Sequence, residues 1–433
     1  MLERPIGIGL LGLGTVGSAV WQLIHRYEKS IEAKVGRPVA VKKALVRDLD
    51  KVRDIPVEKS QLTTDPSMIF EDPEIDIVVE LLGGVHPSTE YLLAALEAGK
   101  DVVTANKDVM AEHGGRIFDL AEQRRRGVFF EASVGGGIPI VAAIKDSLIA
   151  NRIHSILGIL NGTTNYILTR MTEAGLDFDT ALEEAQRLGY AEPDPTADIE
   201  GLDAARKLVI LSSIAFGAKV QLNDVGVEGI TRISARDIAI AADLGYTIKL
   251  LAVGREENGQ ISLRVHPTLV PLSHPLANVR ESFNAIFVDG DPVGEVMFYG
   301  RGAGGGPTAS AVVGDIMAAA RARVLGQKAD SGPWQGPQEK PLVPAEQIST
   351  PYYLRLYLKD VPGTLAQLAT VFGRHGVNIR SLLQHGEDGD WAEVVLITHR
   401  VSGGALKQAM AEVQELPVVG RIENMIRIEE ARS

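Results

Sequence analysis

The stretch Gly189–Lys207, reading GYAEPDPTADIEGLDAARK, gathers acids and a lysine whose types and spacing could do chemistry. Carboxylates such as Glu192 and Asp203 suit an ammonium group, and a lysine such as Lys207 can hydrogen-bond a carbonyl or alcohol oxygen and pass a proton. Prolines follow Glu192 and Asp194, so the stretch opens as a turn. It then becomes a helix with Asp198 as the expected cap over Ile199 and Glu200; Asp198 joins Glu192 and Asp203 as a candidate substrate ligand. Asp203 and Lys207 share one helical face, which continues into Leu211 and Ile214. Beyond Leu208 the sequence is almost wholly apolar, and charges that lead into a buried helix are expensive unless they bind something or each other. Taken alone, the pair reads first as an ordinary surface ion pair.

A second set of residues could hold a cofactor. After the apolar run Ile6–Leu11 come Gly12, Gly14 and Gly17, with Thr15 and Val16 between the last two, and then an apolar-periodic segment from Ala19 to Tyr27. This strand–turn–helix context suits a dinucleotide: Gly12 for the tight turn, Gly14 for close approach to a pyrophosphate, Gly17 for helix–strand packing, and the helix N-terminus for the phosphates. The next strand, Val39–Val46, ends in Arg47 and Asp48. An acid there suits the ribose of NAD and an arginine the 2′-phosphate of NADP. Both are present; Arg47 comes first and favours NADP, with NAD left open. Further strands, Ile75–Leu82 and Asp101–Thr104, end in Gly83–Gly84 and Asn106–Lys107. Ligands sit beyond the carboxyl ends of such strands, so Gly83 and Lys107 are expected to face the cofactor. Strand Val128–Ala132 runs into a second glycine-rich turn, Ser133–Pro139, which could equally be a connection between domains.

These elements imply an α/β chain of three parts. Residues 1–139 form a Rossmann-type doubly wound domain, and residues 140–326 an α+β substrate and dimerisation domain. Helix 307–320, rich in small residues, is expected to pack back on the first domain. Residues 327–350 read as a linker. Residues 351–433 follow a βαββαβ rhythm, a ferredoxin-like module able to fold alone, whose Asp360-Val-Pro-Gly363 turn could hold a small carboxylate at a helix start; dimerisation is the plainer use of such a module. With 433 residues, a net charge of −12 and no cysteine, the chain is expected to be soluble and cytoplasmic, with neither nucleic acid nor membrane as partner. A dehydrogenase that oxidises an aldehyde through a thioester needs a cysteine, so an alcohol–carbonyl interconversion on a small polar substrate is favoured.

On these motifs the chain resembles the homoserine dehydrogenases. The resemblance rests on GLGTVG near the start, VVTANK at Val102–Lys107, EASVGGGIP at Glu131–Pro139, NGTTN at Asn161–Asn165, GYAEPDP, DIEGLDAARK and RGAG at Arg301–Gly304, ahead of an ACT-like C-terminal domain. It implies interconversion of L-aspartate 4-semialdehyde and L-homoserine, in threonine, methionine and isoleucine biosynthesis. Lys207 would be the proton donor, Glu192 and Asp203 would bind the substrate, and Lys107 would touch both cofactor and substrate. Gly189 and Gly302–Gly304 would close on the nicotinamide. Glu131, Val134, Gly136 and Ile138 would offer oxygens, some of them backbone, to a monovalent cation, Na+ or K+. Asp360, Gly363 and Asn378 would lie near a regulatory amino acid, L-threonine, in a homodimer or homotetramer. Another ACT-bearing amino- or hydroxy-acid dehydrogenase, and a catalytically silent sensor of nucleotide and amino acid, are the competing readings.

Overall fold

Ile6–Leu11 is buried at every position and forms β1, in the middle of a parallel sheet. The protein is seen here as a computed structural model that describes residues 4–327, 334, 340–388 and 390–430. A strand buried on both faces needs helices on both. The chain supplies α1 (Thr15–Arg26), α2 (Glu28–Val35), β2 (Val39–Leu45), β3 (Leu62–Thr63), α3 (Ser67–Phe70), β4 (Ile77–Glu80), α4 (Ser88–Glu97), β5 (Asp101–Thr104), α5 (Lys107–Arg124), β6 (Val128–Phe129) and α6 (Ile140–Ala142). The order β3-β2-β1-β4-β5-β6, parallel throughout, is the expected doubly wound sheet, and its order reverses between β1 and β4.

Three local readings change. Helix α1 starts at Thr15, inside the glycine turn, rather than at Ala19. Helix α5, not evident from a mixed and glycine-containing sequence, is started by Asn106, whose Oδ1 accepts from the N–H of Asp108 (3.1 Å) and Val109 (3.2 Å). The strand expected to reach Ala132 stops at Phe129, and α6 widens into a π-turn over Ala143–Ser147.

The chain continues through β7 (Arg152–Ile159), α7 (Gly162–Ala174), α8 (Phe178–Arg187), α9 (Thr196–Ile199), α10 (Leu202–Phe216), β8 (Gly226–Val227), α11 (Ala235–Asp243), β9 (Tyr246–Glu257), β10 (Gln260–Pro271), β11 (Phe283–Asp291), β12 (Gly294–Arg301) and α12 (Gly305–Val324). It forms two compact units, one from Met1–Ile153, Arg206–Leu222 and Asp289–Glu339, the other from His154–Ala205, Asn223–Val288 and Lys340–Ser433. In the first, α12 sets Ala309, Val312, Ile316 and Ala320 into one core with Val20, Trp21 and Ile24 of α1. Its Arg323 pairs with Asp101 and, at 3.4 Å, with Asp76. The single helix expected from Asp198 onward is in fact two. Gly201 takes φ +83°, which splits α9 from α10, so Asp198 lies inside α9 and caps neither helix.

The C-terminal residues form β13 (Ser349–Thr350), β14 (Tyr352–Lys359), α13 (Thr364–Arg374), β15 (Ile379–Asp388), β16 (Trp391–Thr398), β17 (Val401–Ser402), α14 (Gly403–Gln414) and β18 (Val419–Ile428). The antiparallel order β18-β14-β16-β15 is the expected βαββαβ arrangement. Leu354, Leu356 and Leu358 of β14 pack toward Leu368, Phe372 and Leu406 of the helices. The module also makes contacts beyond itself. Strand β18 pairs with β10 (Thr268↔Arg427, Leu269↔Ile428), and Arg355, on the other face of β14, reaches Asp237 of α11 at 2.7 Å. Ser234, Asn424 and Tyr353 also donate to this carboxylate. Burial works against the charge of Asp237, but the bonds from Arg355, Ser234 and Asn424 outweigh it and hold the carboxyl below its ordinary range. Of the expected linker 327–350, residues 328–333 and 335–339 lie outside the described residues. Trp334 is buried against Phe118 and Phe130, and Pro341–Val343 is clipped to Ile261 of β10 by bonds of 2.9 and 2.8 Å.

Breaking one side of a buried ion pair strands the other charge. Arg355→Met should therefore cost about 3–5 kcal/mol, and Arg355→Met/Asp237→Leu should recover much of it. The midpoint of denaturant unfolding reads both; equal loss in single and double variants would show that Asp237 is not the group left stranded.

Candidate active site

The phosphate cradle is built by three glycines, each for a different reason. Gly12 has φ +103°. A Cβ on Gly17 would lie 2.3 Å from the Gly12 carbonyl oxygen, so only glycine lets α1 pack there. A Cβ on Gly14 would meet nothing within 4 Å, and Gly14 and Thr15 are exposed while Val16 is half-buried. No side chain caps α1, which leaves its first amides for an anion. These features fit a dinucleotide pyrophosphate. At the end of β2, Arg47 and Asp48 are both exposed, and Asp48 Oδ1 accepts from the Asp50 N–H at 2.8 Å.

The Lys107 turn hangs on a buried acid. Glu80, with no exposed surface, accepts from Thr104 Oγ1 (2.7 Å) and the Leu82 N–H (2.8 Å). Thr104 Oγ1 accepts the Asn106 N–H, and Asn106 Nδ2 donates to the Gly84 carbonyl at 2.7 Å. The left-handed Gly83–Gly84 loop and the start of α5, with half-buried Lys107 as its first residue, are thus fixed together. Next to Lys107, Asp108 forms a 3.1 Å ion pair with Arg206, the neighbour of half-buried Lys207 on α10.

The second glycine-rich turn packs on the RGAG segment. A Cβ on Gly136 would lie 2.5 Å from the Gly302 carbonyl oxygen, and the Gly137 N–H donates to Arg301 at 3.1 Å. Gly304, at φ +118°, precedes α12, and the next residue, Gly305, sits beside Thr15. Glu131, Val134, Gly136 and Ile138 are all buried. The Glu131 carboxylate oxygens accept from the N–H groups of Val141 (2.8 Å) and Ala142 (2.7 Å), and its carbonyl accepts from the Val134 N–H at 3.4 Å. Burial pushes the Glu131 carboxyl up against these bonds. The Glu131 N–H donates to Asp315, whose carboxyl is pushed well above its ordinary range by burial and by Glu131.

In the other unit, Asn161 holds two of the predicted acids. It starts α7, and its Nδ2 donates to Asp198 (2.7 Å) and Asp203 (2.9 Å) while its Oδ1 accepts from the Thr164 N–H. Asp203 is 6 % exposed, so it is no surface group. Thr163 ties α7 to the Tyr190 carbonyl at 2.6 Å, beside left-handed, exposed Gly189. Glu192 is exposed; its carbonyl accepts from Gln186. Asn165 donates to the carbonyls of Val279, Glu281 and Phe283 and accepts from Lys249, which also donates to Val279 at 2.6 Å. Asn161, Asn106, Glu80 and Asp315 are not singled out by the sequence as site residues. The asparagines stood inside quoted motifs, and an Asx start to a helix was the available signal.

In the C-terminal module a cavity of about 420 Å³ is lined by Lys359, Asp360, Gly363, Thr364, Gln384 and neighbouring apolar residues. Asn378, exposed beyond α13, is not among its walls. Gly363 caps α13 with φ +88° and no side-chain bond, and among the described residues buried Thr364 Oγ1 has no hydrogen-bond partner.

Fold and cradle define an oxidoreductase that binds a nicotinamide dinucleotide and carries a C-terminal ACT domain. The family described as Homoserine dehydrogenase, NAD binding domain matches residues 12–131, Homoserine dehydrogenase residues 139–317, and ACT domain residues 352–418. The chain is 46 % identical over 438 residues to the homoserine dehydrogenase of Synechocystis sp., covering 98 % of this chain and 99 % of that one. It superposes on the crystal structure of a homoserine dehydrogenase from Thiobacillus denitrificans with TM-score 0.92 and 43 % identity, covering 99 % of each chain. A hyperthermophilic archaeal homoserine dehydrogenase in complex with NADPH matches with TM-score 0.62 and 28 % identity over 73 % of this chain and 98 % of that one. The chain belongs to the homoserine dehydrogenase family. Among the described residues, no helix is long and apolar enough to cross a membrane, and no cluster of three or more His, Cys, Asp or Glu side chains could hold a metal.

Burial lowers the Lys249 pKa to about 8. An unfolded lysine titrates near 10.4, so between these values the unfolded chain holds a proton that the folded chain lacks, and stability rises with pH. Wild type should therefore gain on Lys249→Met by up to about 1.36 kcal/mol per pH unit across this window. Unfolding of both proteins between pH 7 and 10 checks this; a pH-independent difference would mean that Lys249 titrates normally.

Proposed function

We propose that this chain interconverts L-aspartate 4-semialdehyde and L-homoserine, with Lys207 passing the proton to and from the substrate oxygen and with NADP preferred. The observation that carries the site assignment is the Asn161 amide bridging Asp198 and Asp203, one helical turn before Lys207 on α10. Asn161 fixes the acid that faces the substrate ammonium, and Glu192 adds a second, exposed carboxylate from the proline-broken turn. Lys207, four residues on, hydrogen-bonds the aldehyde oxygen and gives it a proton in reduction, taking it back in oxidation. Lys107, held by the Glu80–Thr104–Asn106 network, orients substrate against cofactor. Gly12, Gly14, Thr15, Val16 and Gly17 hold the pyrophosphate, with Gly83, Gly189 and Gly302–Gly304 around the nicotinamide. The bound nicotinamide supplies the hydride.

Preference for NADP is supported by exposed Arg47 at the end of β2 and by the engagement of Asp48 in its own turn. The cation reading is supported by the carbonyls of Val134 and Gly136, buried residues whose oxygens accept no backbone bond among the described residues. L-threonine as effector is supported by the cavity beside Asp360 and Gly363, where the uncapped start of α13 suits a carboxylate. This reading extends to a role in threonine, methionine and isoleucine synthesis, to assembly as a homodimer or homotetramer, and to a division of labour between residues 1–139, 140–326 and 351–433.

Rates with homoserine for NADP and NAD, with and without threonine and a potassium or sodium salt, test the whole reading; no turnover would overturn it. Lys207→Ala should lower kcat at least roughly a hundredfold with NADP affinity unchanged, and near-normal kcat would remove Lys207 from its role. Arg47→Ala should weaken NADP more than NAD; equal loss for both would refute a 2′-phosphate contact.

A further inference from the structure

Strands β9, β10 and β18 bring Arg255, Arg264 and Arg427 to one face of the sheet. Arg255 lies opposite Ser262, two residues before Arg264, and Arg427 pairs with Thr268, four residues after it. Their acids do not balance them. Arg255 pairs with buried Glu429, and Arg427 with Glu228, whose side chain is 53 % exposed. Arg264 is 6 % exposed, and among the described residues its Nε and Nη1 have no hydrogen-bond partner; Arg255 Nε has none there either. Glu429 also acts on Arg264 through space but is paired with Arg255, and a guanidinium buried without an ion pair of its own is costly to a fold. His266, two residues along β10, reports the same field: burial, then Arg427, Arg264 and Arg255, hold its imidazole well below the ordinary value.

We propose that this face binds one small oxyanion of carboxylate or phosphate chemistry, held by Arg264 with Arg255 and Arg427 flanking it. The guanidinium fork matches two oxygens of such a group, and the unpartnered Nε and Nη1 of Arg264 are the donors it would use. Arg255 and Arg427, each with 18 % of the side chain exposed, form the way in. The site lies on the seam where β10 meets the last ACT strand, and it owes nothing to the catalytic assignment.

The test uses the full chain with cofactor at saturation, so that the pyrophosphate cradle is filled. Inorganic phosphate and acetate, titrated separately at constant ionic strength, distinguish the two sources of the anion. Wild type should show a saturable rise in Tm of at least roughly 2 °C with one of them, which Arg264→Met should lack. In anion-free buffer Arg264→Met should melt no lower than wild type. Hydrogen exchange at Ile426–Glu429 should slow as the anion saturates. If Arg264→Met does not fold, Arg264→Lys keeps the charge without the fork, and its titration midpoint should move at least about tenfold. No saturable response in wild type, an equal response in the Arg264 variant, or no slowing at Ile426–Glu429 would overturn the proposal.

Discussion

A carboxylate withdrawn from water must be met by donors, and buried acids organise this chain. Glu80 holds the loop before α4 and the turn that presents Lys107. Glu131 closes the second glycine-rich turn onto the first amides of α6. Asp203 is bound to the amide that starts α7, and Asp237 fastens the ACT sheet to α11. Each of these acids sits at the end of a strand, the start of a helix or the junction of two elements, where backbone donors are otherwise unpaired.

The cofactor region shows how sterics and electrostatics divide the work. Gly17 and Gly136 are required because a side chain would collide with backbone, and Gly12 because the chain turns there at φ +103°; together they set how closely the segments approach. Gly14 is different: space lies in front of it, as a cradle requires. The hydrogen bonds of Glu80 and Asn106 then aim what the glycines have brought near, and aim matters because hydride and proton transfer tolerate little displacement.

The ACT domain is joined to its neighbours by polar bonds as much as by apolar packing. Asp237 is fully satisfied, by Arg355, Ser234, Asn424 and Tyr353. The arginine face of β10 is the converse: among the described residues, Arg264 is buried with no ion pair of its own. Arg355, Tyr353 and Asn424, which donate to Asp237 of α11, lie on strands of the same sheet as the arginine face, so the attachment of the regulatory domain combines a completed network with an incomplete one.

Much of this was legible in the sequence where the cause is local. The G-x-G-x-x-G turn, the alternation of strand and helix, the βαββαβ rhythm and the i,i+4 spacing of Asp203 and Lys207 all depend on residues a few positions apart, and the family follows from such motifs. Tertiary structure decided what depends on distant partners. Asp198 was expected to cap a helix, but Gly201 packs under Val265 in a left-handed turn and starts α10 afresh. The ACT module reads from sequence as a unit able to fold alone; that Arg355 and Asp237, 118 residues apart, bury one another shows only in the tertiary structure. Asn161 and Asp203, 42 residues apart, carry no mark in sequence that they will bond. A side chain's type and spacing fix which bonds it can make; which partner it meets is settled only when the chain closes and water is excluded between them.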